Sequence, residues 1–258
     1  MPVKVHPTAV IHKASQLGNN VKIGPFSIVE EDVIIGDDTE ITSHVLIASG
    51  TRLGKNCRVF QGAVLGTIPQ DLKFGMEKTT LEVGDDTTIR EYATLNRGTS
   101  GHGKTVVGSH CLIMAYVHIA HDCIIGDHVV LANLVQMAGH VVIEEHVGIG
   151  GFVPIHQFVH IGRHSFIGGG CHVPKDVPPY ILAMGAPMRY AGLNLVGLKR
   201  KGFTPKELQT LKKVYKILYK SNLTISEAMK RIESEVEICE QVQHVLSFVR
   251  NAQRGLIR

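Results

Sequence analysis

The stretch Leu17-Gly18-Asn19-Asn20-Val21-Lys22-Ile23-Gly24-Pro25-Phe26-Ser27-Ile28-Val29-Glu30-Glu31-Asp32-Val33-Ile34-Ile35-Gly36 puts an aliphatic residue at every sixth position: Leu17, Ile23, Val29 and Ile35. Followed outward in both directions, the same register runs from Val5 to Val173, and 26 of its 29 positions are aliphatic or methionine. Chance does not produce such a run. Two residues before each of these lies a second apolar or small position, as at Ala9, Ser15, Ser27, Ala63 and Ala93, so each strand is very short and alternates inward and outward. Cys57, Cys111, Cys123 and Cys171 all fall in this second class, which makes them small core residues. Glycine often follows the aliphatic residue, as in Leu17-Gly18, Ile35-Gly36 and Ile125-Gly126, and the pattern places a turn there. A period of six with a turn at each step implies a parallel β-helix of three hexads per coil, with coils stacked about 4.8 Å apart. The period does not set the hand of the coil.

Only Asp71, Glu77 and Gly101 break the register. The first two lie in Thr67-Ile68-Pro69-Gln70-Asp71-Leu72-Lys73-Phe74-Gly75-Met76-Glu77-Lys78, the third in Gly98-Thr99-Ser100-Gly101-His102-Gly103. Both are read as loops ejected from the coil, near 67–80 and 97–105, and loops on a rigid scaffold are common carriers of function. The pattern stops at Val177-Pro178-Pro179-Tyr180, so residues 1–178 are expected to form the β-helix and 179–258 a small α-helical domain. Within the latter, Thr204-Pro205-Lys206-Glu207 reads as an N-cap, a first-turn proline and an acidic first turn. Further helices are expected near Ile225 to Glu235 and Glu237 to Asn251.

The 258 residues carry a formal charge of +4, with basic residues gathered at Lys199, Arg200 and Lys201 and again at Lys206, Lys212, Lys213, Lys216 and Lys220. An anionic partner suits them. With no tryptophan, few aromatics and no nucleic-acid motif, base stacking lacks its usual equipment, so a phosphate or an acidic protein is expected and nucleic acid is not. The cysteine spacings fit neither a zinc site nor a disulfide framework, and no metal or cofactor is expected. A secretory leader and an apolar run of membrane-spanning length are both lacking, which points to the cytoplasm.

Of fifteen histidines, nine lie between His102 and His160. The 18-residue coil stacks His121, Gly139 and Gln157 in one column, with His140 and His156 beside it and His118 three residues before His121. A histidine cluster on one edge is therefore expected.

The motifs His118-Ile119-Ala120-His121-Asp122-Cys123, Leu131-Ala132-Asn133, Ala138-Gly139-His140, His156-Gln157-Phe158, Asp176-Val177-Pro178-Pro179-Tyr180 and Gly197-Leu198-Lys199-Arg200, with the loop Gln70-Asp71-Leu72-Lys73, resemble the UDP-N-acetylglucosamine O-acyltransferases of lipid A biosynthesis. The resemblance covers essentially the whole chain. It implies a left-handed coil, a homotrimer, and transfer of a 3-hydroxyacyl chain from acyl carrier protein to the 3-hydroxyl of UDP-N-acetylglucosamine. By the same resemblance His121 is the general base, Asp122 orients it, and the Gly139 N–H supplies the oxyanion contact. Because neighbours on a strand face opposite ways, the His121–Asp122 pair requires a coil corner. His118, His140, His156, Gln157, Asp71 and Lys73 match substrate contacts, and Asn194 and Arg200 match residues near the nucleotide. Departures at Val196 and Lys201 leave the uridine contacts open. Gly169, in Gly168-Gly169-Gly170, is the expected ruler position, where the resemblance places the far end of the acyl chain; with no side chain to block the groove, it is expected to admit a long chain of roughly fourteen carbons.

Three rival readings share the repeat, of which a non-catalytic β-helix scaffold would need neither the ejected loops nor the histidine column. A γ-type zinc carbonic anhydrase also gathers histidines on a hexapeptide β-helix, but the helical domain and the His121-Asp122 and Gly139-His140 motifs count against it. The N-acyltransferase of the same pathway carries a domain before its coils, whereas the hexads here start at Val5.

Overall fold

The computed structural model of the chain describes residues 2–258. Among these, the hexad aliphatics sit on strands mostly two residues long, and the chain turns a corner after each. Three sheets result, of eleven, eight and eight strands. Val5 pairs with Ile23 in the first sheet, Ile11 with Val29 in the second and Leu17 with Ile35 in the third, all parallel and all eighteen residues apart. The interior of this three-sided tube is one column of aliphatics, buried from Ile23 to Val173, with the second apolar class filling the gaps. Burying one such side chain contributes about 1.5–3 kcal/mol. The four repeat cysteines are buried and unpaired, and burial pushes the thiols of Cys111 and Cys123 up to about 11 and about 12.

The turn does not fall on the glycine. In most corners the left-handed residue comes two places later, at Asn20 and Asp38 and even at Phe26 and Tyr92, with φ near +60°. Gly18 and Gly36 have ordinary φ. Their smallness is needed instead for stacking, since a Cβ on Gly36 would stand 2.5 Å from the carbonyl carbon of Gly54 in the next coil. The turn expected at the glycine is thus displaced, because successive coils crowd the backbone just before the corner and the bend is made just after it.

Both loops leave the tube at the same corner, between the second and third sheets, spanning Thr67 to Thr80 and Asn96 to Lys104. Leu53 pairs with Val83, thirty residues on instead of eighteen, and Val83 pairs with Val107, twenty-four on. The loops therefore take up twelve and six residues, and the aliphatic register resumes unbroken.

Past residue 178 the first sheet continues before any helix begins. Ile181–Met184 pairs in parallel with Phe166–Ile167, and Arg189–Leu193 returns antiparallel to it. This hairpin was not expected; its apolar run Ile181-Leu182-Ala183-Met184 lies outside the hexad register. Four helices follow: α1 (Leu195–Arg200), α2 (Pro205–Lys220), α3 (Ile225–Glu235) and α4 (Glu240–Asn251). Thr204 and Thr224 cap α2 and α3 with full capping boxes, each hydroxyl accepting the N–H of a glutamate whose carboxylate accepts in return. Six-residue α1 is too short to show a helical period, and α4 starts three residues later than expected.

Two polar clamps fasten the helices to the tube. The Glu144 carboxylate lies between His160 Nε2 at 2.9 Å and His244 Nε2 of α4 at 2.7 Å. The chain end folds back beside buried Asp176, whose N–H donates to the Gly255 carbonyl and whose carbonyl accepts from the Ile257 N–H.

Candidate active site

His121 and Asp122 occupy the corner between the second and third sheets, directly above the two loops. Asp122 is the left-handed residue of that corner, at φ +59°. This bend swings its carboxylate beside the preceding imidazole, and His121 Nδ1 lies 2.8 Å from Asp122 Oδ2. The coil corner that the pairing required is present. Asp122 is fully buried, and its remaining lone pairs are filled by the smaller loop: Oδ1 accepts the N–H groups of Thr99 (2.9 Å) and His102 (3.2 Å), and Oδ2 accepts the Thr99 hydroxyl (2.6 Å). Burial alone would raise this carboxyl, but the bonds from Thr99, His121 and His102 outweigh it and hold it below the ordinary range. An ionised Asp122 can only accept. It therefore keeps the His121 proton on Nδ1 and leaves Nε2 with a free lone pair.

Gly139 sits one coil above His121. A Cβ there would stand 2.7 Å from His121 Nε2 and 2.6 Å from Cε1, so only glycine lets the next coil lie against the imidazole. Among the described residues no protein acceptor takes the Gly139 N–H, whereas the neighbouring His140 N–H donates to the His121 carbonyl at 3.1 Å. His140 places Nε2 3.6 Å from Asp122 Oδ2, and its ring stands edge-on to His121 and stacks on Phe158. Burial lowers its pKa, which the charges of Asp122 and Asp71 oppose and those of His121 and His102 reinforce. His118 is lowered by burial and by His121, and its Nδ1 lies 2.7 Å from the Thr94 hydroxyl. Both rings are thus neutral near pH 7.

The hexapeptide repeat of bacterial transferases matches residues 14–49 and 104–139, and the second domain of UDP-N-acetylglucosamine O-acyltransferase matches 176–257. An acyl-[acyl-carrier-protein]--UDP-N-acetylglucosamine O-acyltransferase of Chlorobaculum parvum is 51% identical, over 97% of this chain and 96% of its own length. The enzyme of the same name from Syntrophobacter fumaroxidans is 44% identical over 99% and 100%. The solved UDP-N-acetylglucosamine acyltransferase of Bacteroides fragilis superposes with a TM-score of 0.97 at 42% identity, covering 98% of this chain and 99% of that one. The chain belongs to the UDP-N-acetylglucosamine O-acyltransferase family. Its tube is the left-handed β-helix of that family. Membership also decides against the carbonic anhydrase and N-acyltransferase readings, even though donor atoms of His121, Asp122 and His140 lie within 4.8 Å of one another.

Not every expected site residue of this acyltransferase family member shares the corner of His121. Asp122, Gly139, His140, His156 and Gln157 do, His118 is on the second-sheet strand that leads into it, and Asp71 and Lys73 are on the larger loop there, where the Lys73 N–H donates to Asp71 Oδ1 at 3.0 Å. Gly169 is on the corner between the first and second sheets. Asn194 and Arg200 flank the third corner: the Asn194 amide caps α1 by accepting from Gly197 N and donates to the His164 carbonyl at 3.0 Å, and Arg200 is exposed. Within one chain, these three are not brought to His121.

Thr99 and His102 escaped the sequence reading as individual residues, although their loop did not. The signal was the hexad failure at Gly101: a six-residue ejection one coil below His121 has that corner within reach.

Proposed function

We propose that the chain transfers a 3-hydroxyacyl group from acyl carrier protein to the 3-hydroxyl of UDP-N-acetylglucosamine, the first step of lipid A biosynthesis, by direct attack on the thioester. The observation that carries this reading is His121 held by an ionised, buried Asp122 with Nε2 free against the Gly139 backbone. Nε2 takes the hydroxyl proton while the sugar oxygen bonds to the thioester carbonyl carbon. The carbonyl oxygen gains negative charge and accepts from the Gly139 N–H. Collapse expels the carrier thiolate, which takes the proton back from the imidazolium, leaving an ester and a free thiol. His118, His140, His156, Gln157, Asp71 and Lys73 surround the sugar and the acyl group. No acyl-enzyme forms: the repeat thiols are buried, and two of them are held far above neutrality.

Asn194, Arg200 and Gly169 reach such a site from a second copy of the chain, as a homotrimer with sites between tubes requires. The corner bearing Gly169 supports this with an exposed aromatic column of Phe26, Tyr92, Tyr116 and Phe152, an apolar edge suited to burial. Arg200 then faces the diphosphate, Gly169 leaves the groove open to a long acyl chain, and the lysines of α2 receive the acidic carrier protein. Among the described residues no helix is long and apolar enough to cross a membrane. Unpaired cysteines suit the cytoplasm.

Purified protein supplied with UDP-N-acetylglucosamine and a panel of 3-hydroxyacyl carrier proteins should yield the 3-O-ester with one preferred chain length. Mass spectrometry during turnover should find the polypeptide unmodified; an acylated chain would refute direct transfer. Gly169→Met should shift the preference toward shorter donors. A Cβ at 169 would lie 3.1 Å from the Gly151 carbonyl oxygen, so its thermal stability is measured alongside.

A further inference from the structure

The last residues of the chain come back to the active-site corner and put a charged group on one of its histidines. Arg254 Nη2 lies 3.1 Å from His156 Nδ1, and the carbonyl of Gln157 lies 3.0 Å from the same nitrogen. These two neighbours make opposite demands. A guanidinium has only donors and is always charged, so it needs a bare Nδ1, whereas a carbonyl only accepts and needs an Nδ1–H. One nitrogen cannot serve both. The bond from the guanidinium is charge-assisted and roughly twice as strong as a neutral one. An Nδ1–H facing the guanidinium would set two donors against each other at 3.1 Å.

We propose that Arg254 is a positioning residue that holds His156 as the tautomer with its proton on Nε2, so that this histidine presents a hydrogen-bond donor at the active-site corner. The backbone around Arg254 is fixed independently of its side chain. Its N–H donates to Asp176 Oδ2 at 3.1 Å, Asp176 Oδ1 accepts the His160 N–H at 2.8 Å, and Leu256 and Ile257 are buried in the core. The tail is pinned through backbone atoms and a buried carboxylate, and the guanidinium is aimed from that anchor. The ligand for such a donor is an acceptor-rich group, a phosphate or carbonyl oxygen of the bound substrates; this kinetic consequence alone rests on reading His156 as a substrate contact.

The tautomer can be read without any variant. In protein labelled with 15N-histidine, the ring nitrogens of His156 should show a bare Nδ1 and a protonated Nε2, assigned by the signal lost in His156→Asn. A protonated Nδ1 in the wild type overturns the proposal. In Arg254→Met, which keeps the stem and the backbone anchor, the proton should move to Nδ1 and donate to the Gln157 carbonyl; an unchanged tautomer in this folded variant also overturns it. Kinetics supply the second arm. Arg254→Met should lower kcat/KM about 10-fold in the wild type and leave it unchanged when His156 is already asparagine, because the two residues act as one unit. An equal loss in both backgrounds means that Arg254 does not act through His156. Failure of the tautomer assignment leaves the acyl-transfer reading intact, since that reading stands or falls on turnover.

Discussion

Two corners of the tube are rich in histidine and are built differently. Between the second and third sheets, His121 has a buried carboxylate at 2.8 Å and a loop closed over that carboxylate. Between the third and first sheets, His110, His128, His146 and His164 stand on four successive coils with ring centroids 4.6–4.8 Å apart, stacked nearly parallel and ending on Tyr180. All four are left-handed corner residues, like Asp122. In the stack, burial lowers the pKa of both His146 and His164, the latter to about 4, with the neighbouring imidazoles and Lys201 pushing the same way. His146 Nδ1 has no partner among the described residues. Of these four rings only His110 has a carboxylate within 4 Å among the described residues, Asp86 Oδ2 at 3.7 Å from its Nδ1. An imidazole becomes a base when something holds its proton on one nitrogen and stabilises the cation it will become.

The largest test of this contrast compares one residue from each corner. His121→Ala should fold and lose about 10²- to 10⁴-fold in turnover, the usual contribution of a general base. His128→Ala, from the middle of the stack, should stay within ~2-fold, as surface substitutions away from special features do. Comparable losses in initial-rate assays would show that the stack has a part in the reaction.

A third use of histidine gives the next effect. Glu144, bracketed by His160 and His244, would be raised by burial, but the two imidazoles beside it and the N–H of Arg163 bring it down to about 2. A carboxyl depressed in the folded state stabilises above its ordinary pKa of 4.5 and loses that contribution as pH falls toward 2. The loss is on the order of 3 kcal/mol. Thermal unfolding from pH 6 to pH 2 should show a steep decline below 4.5, and Glu144→Gln should flatten it. An equally steep decline in that variant would place the acid-sensitive group elsewhere.

Thr99→Val removes the hydroxyl on Asp122 Oδ2 without changing side-chain shape. Hydrogen bonds to charged groups contribute about 1.5–3 kcal/mol, so kcat/KM should fall about 10-fold or more. The Asp122 carboxyl should rise, and the acidic limb of the pH–rate profile should move to higher pH. An unmoved limb means that Thr99 does not tune Asp122.

The stack gives a further, pH-dependent effect. A histidine whose pKa is lowered by folding destabilises the protein as pH falls from 6.5 toward 4, because the unfolded chain binds the proton more readily. His164→Phe keeps an aromatic ring between His146 and Tyr180 and removes the titration. Its melting temperature should therefore fall less than that of the wild type across this window; parallel curves would show that His164 does not titrate as its surroundings dictate.

The coil, its register and both loops were legible in the sequence because one spacing rule, repeated along the chain, fixes a three-sided coil in all but its hand. The His121, Gly139 and Gln157 column followed from eighteen-residue arithmetic alone. What the arithmetic could not deliver was direction. It could not say that Thr99 and His102 turn inward onto Asp122, since loop residues outside the register have no period to fix them. It misplaced the turn at Gly18 and Gly36, because a glycine needed for close stacking looks in sequence like one needed for a positive φ. The hairpin at Ile181–Leu193 and the contact from Arg254 to His156 join segments too short or too distant for any period to show. Counting histidines between His102 and His160 mixed members of both corners.

The twelve and six residues taken up by the two loops have a consequence for how this chain can change length. Because both loops leave the tube and return to it at one corner, their length can change without moving the interior aliphatics downstream. Excising the six residues of the smaller loop should therefore leave a well-formed tube that has lost the closure over Asp122: a molecule mechanically whole and chemically silent.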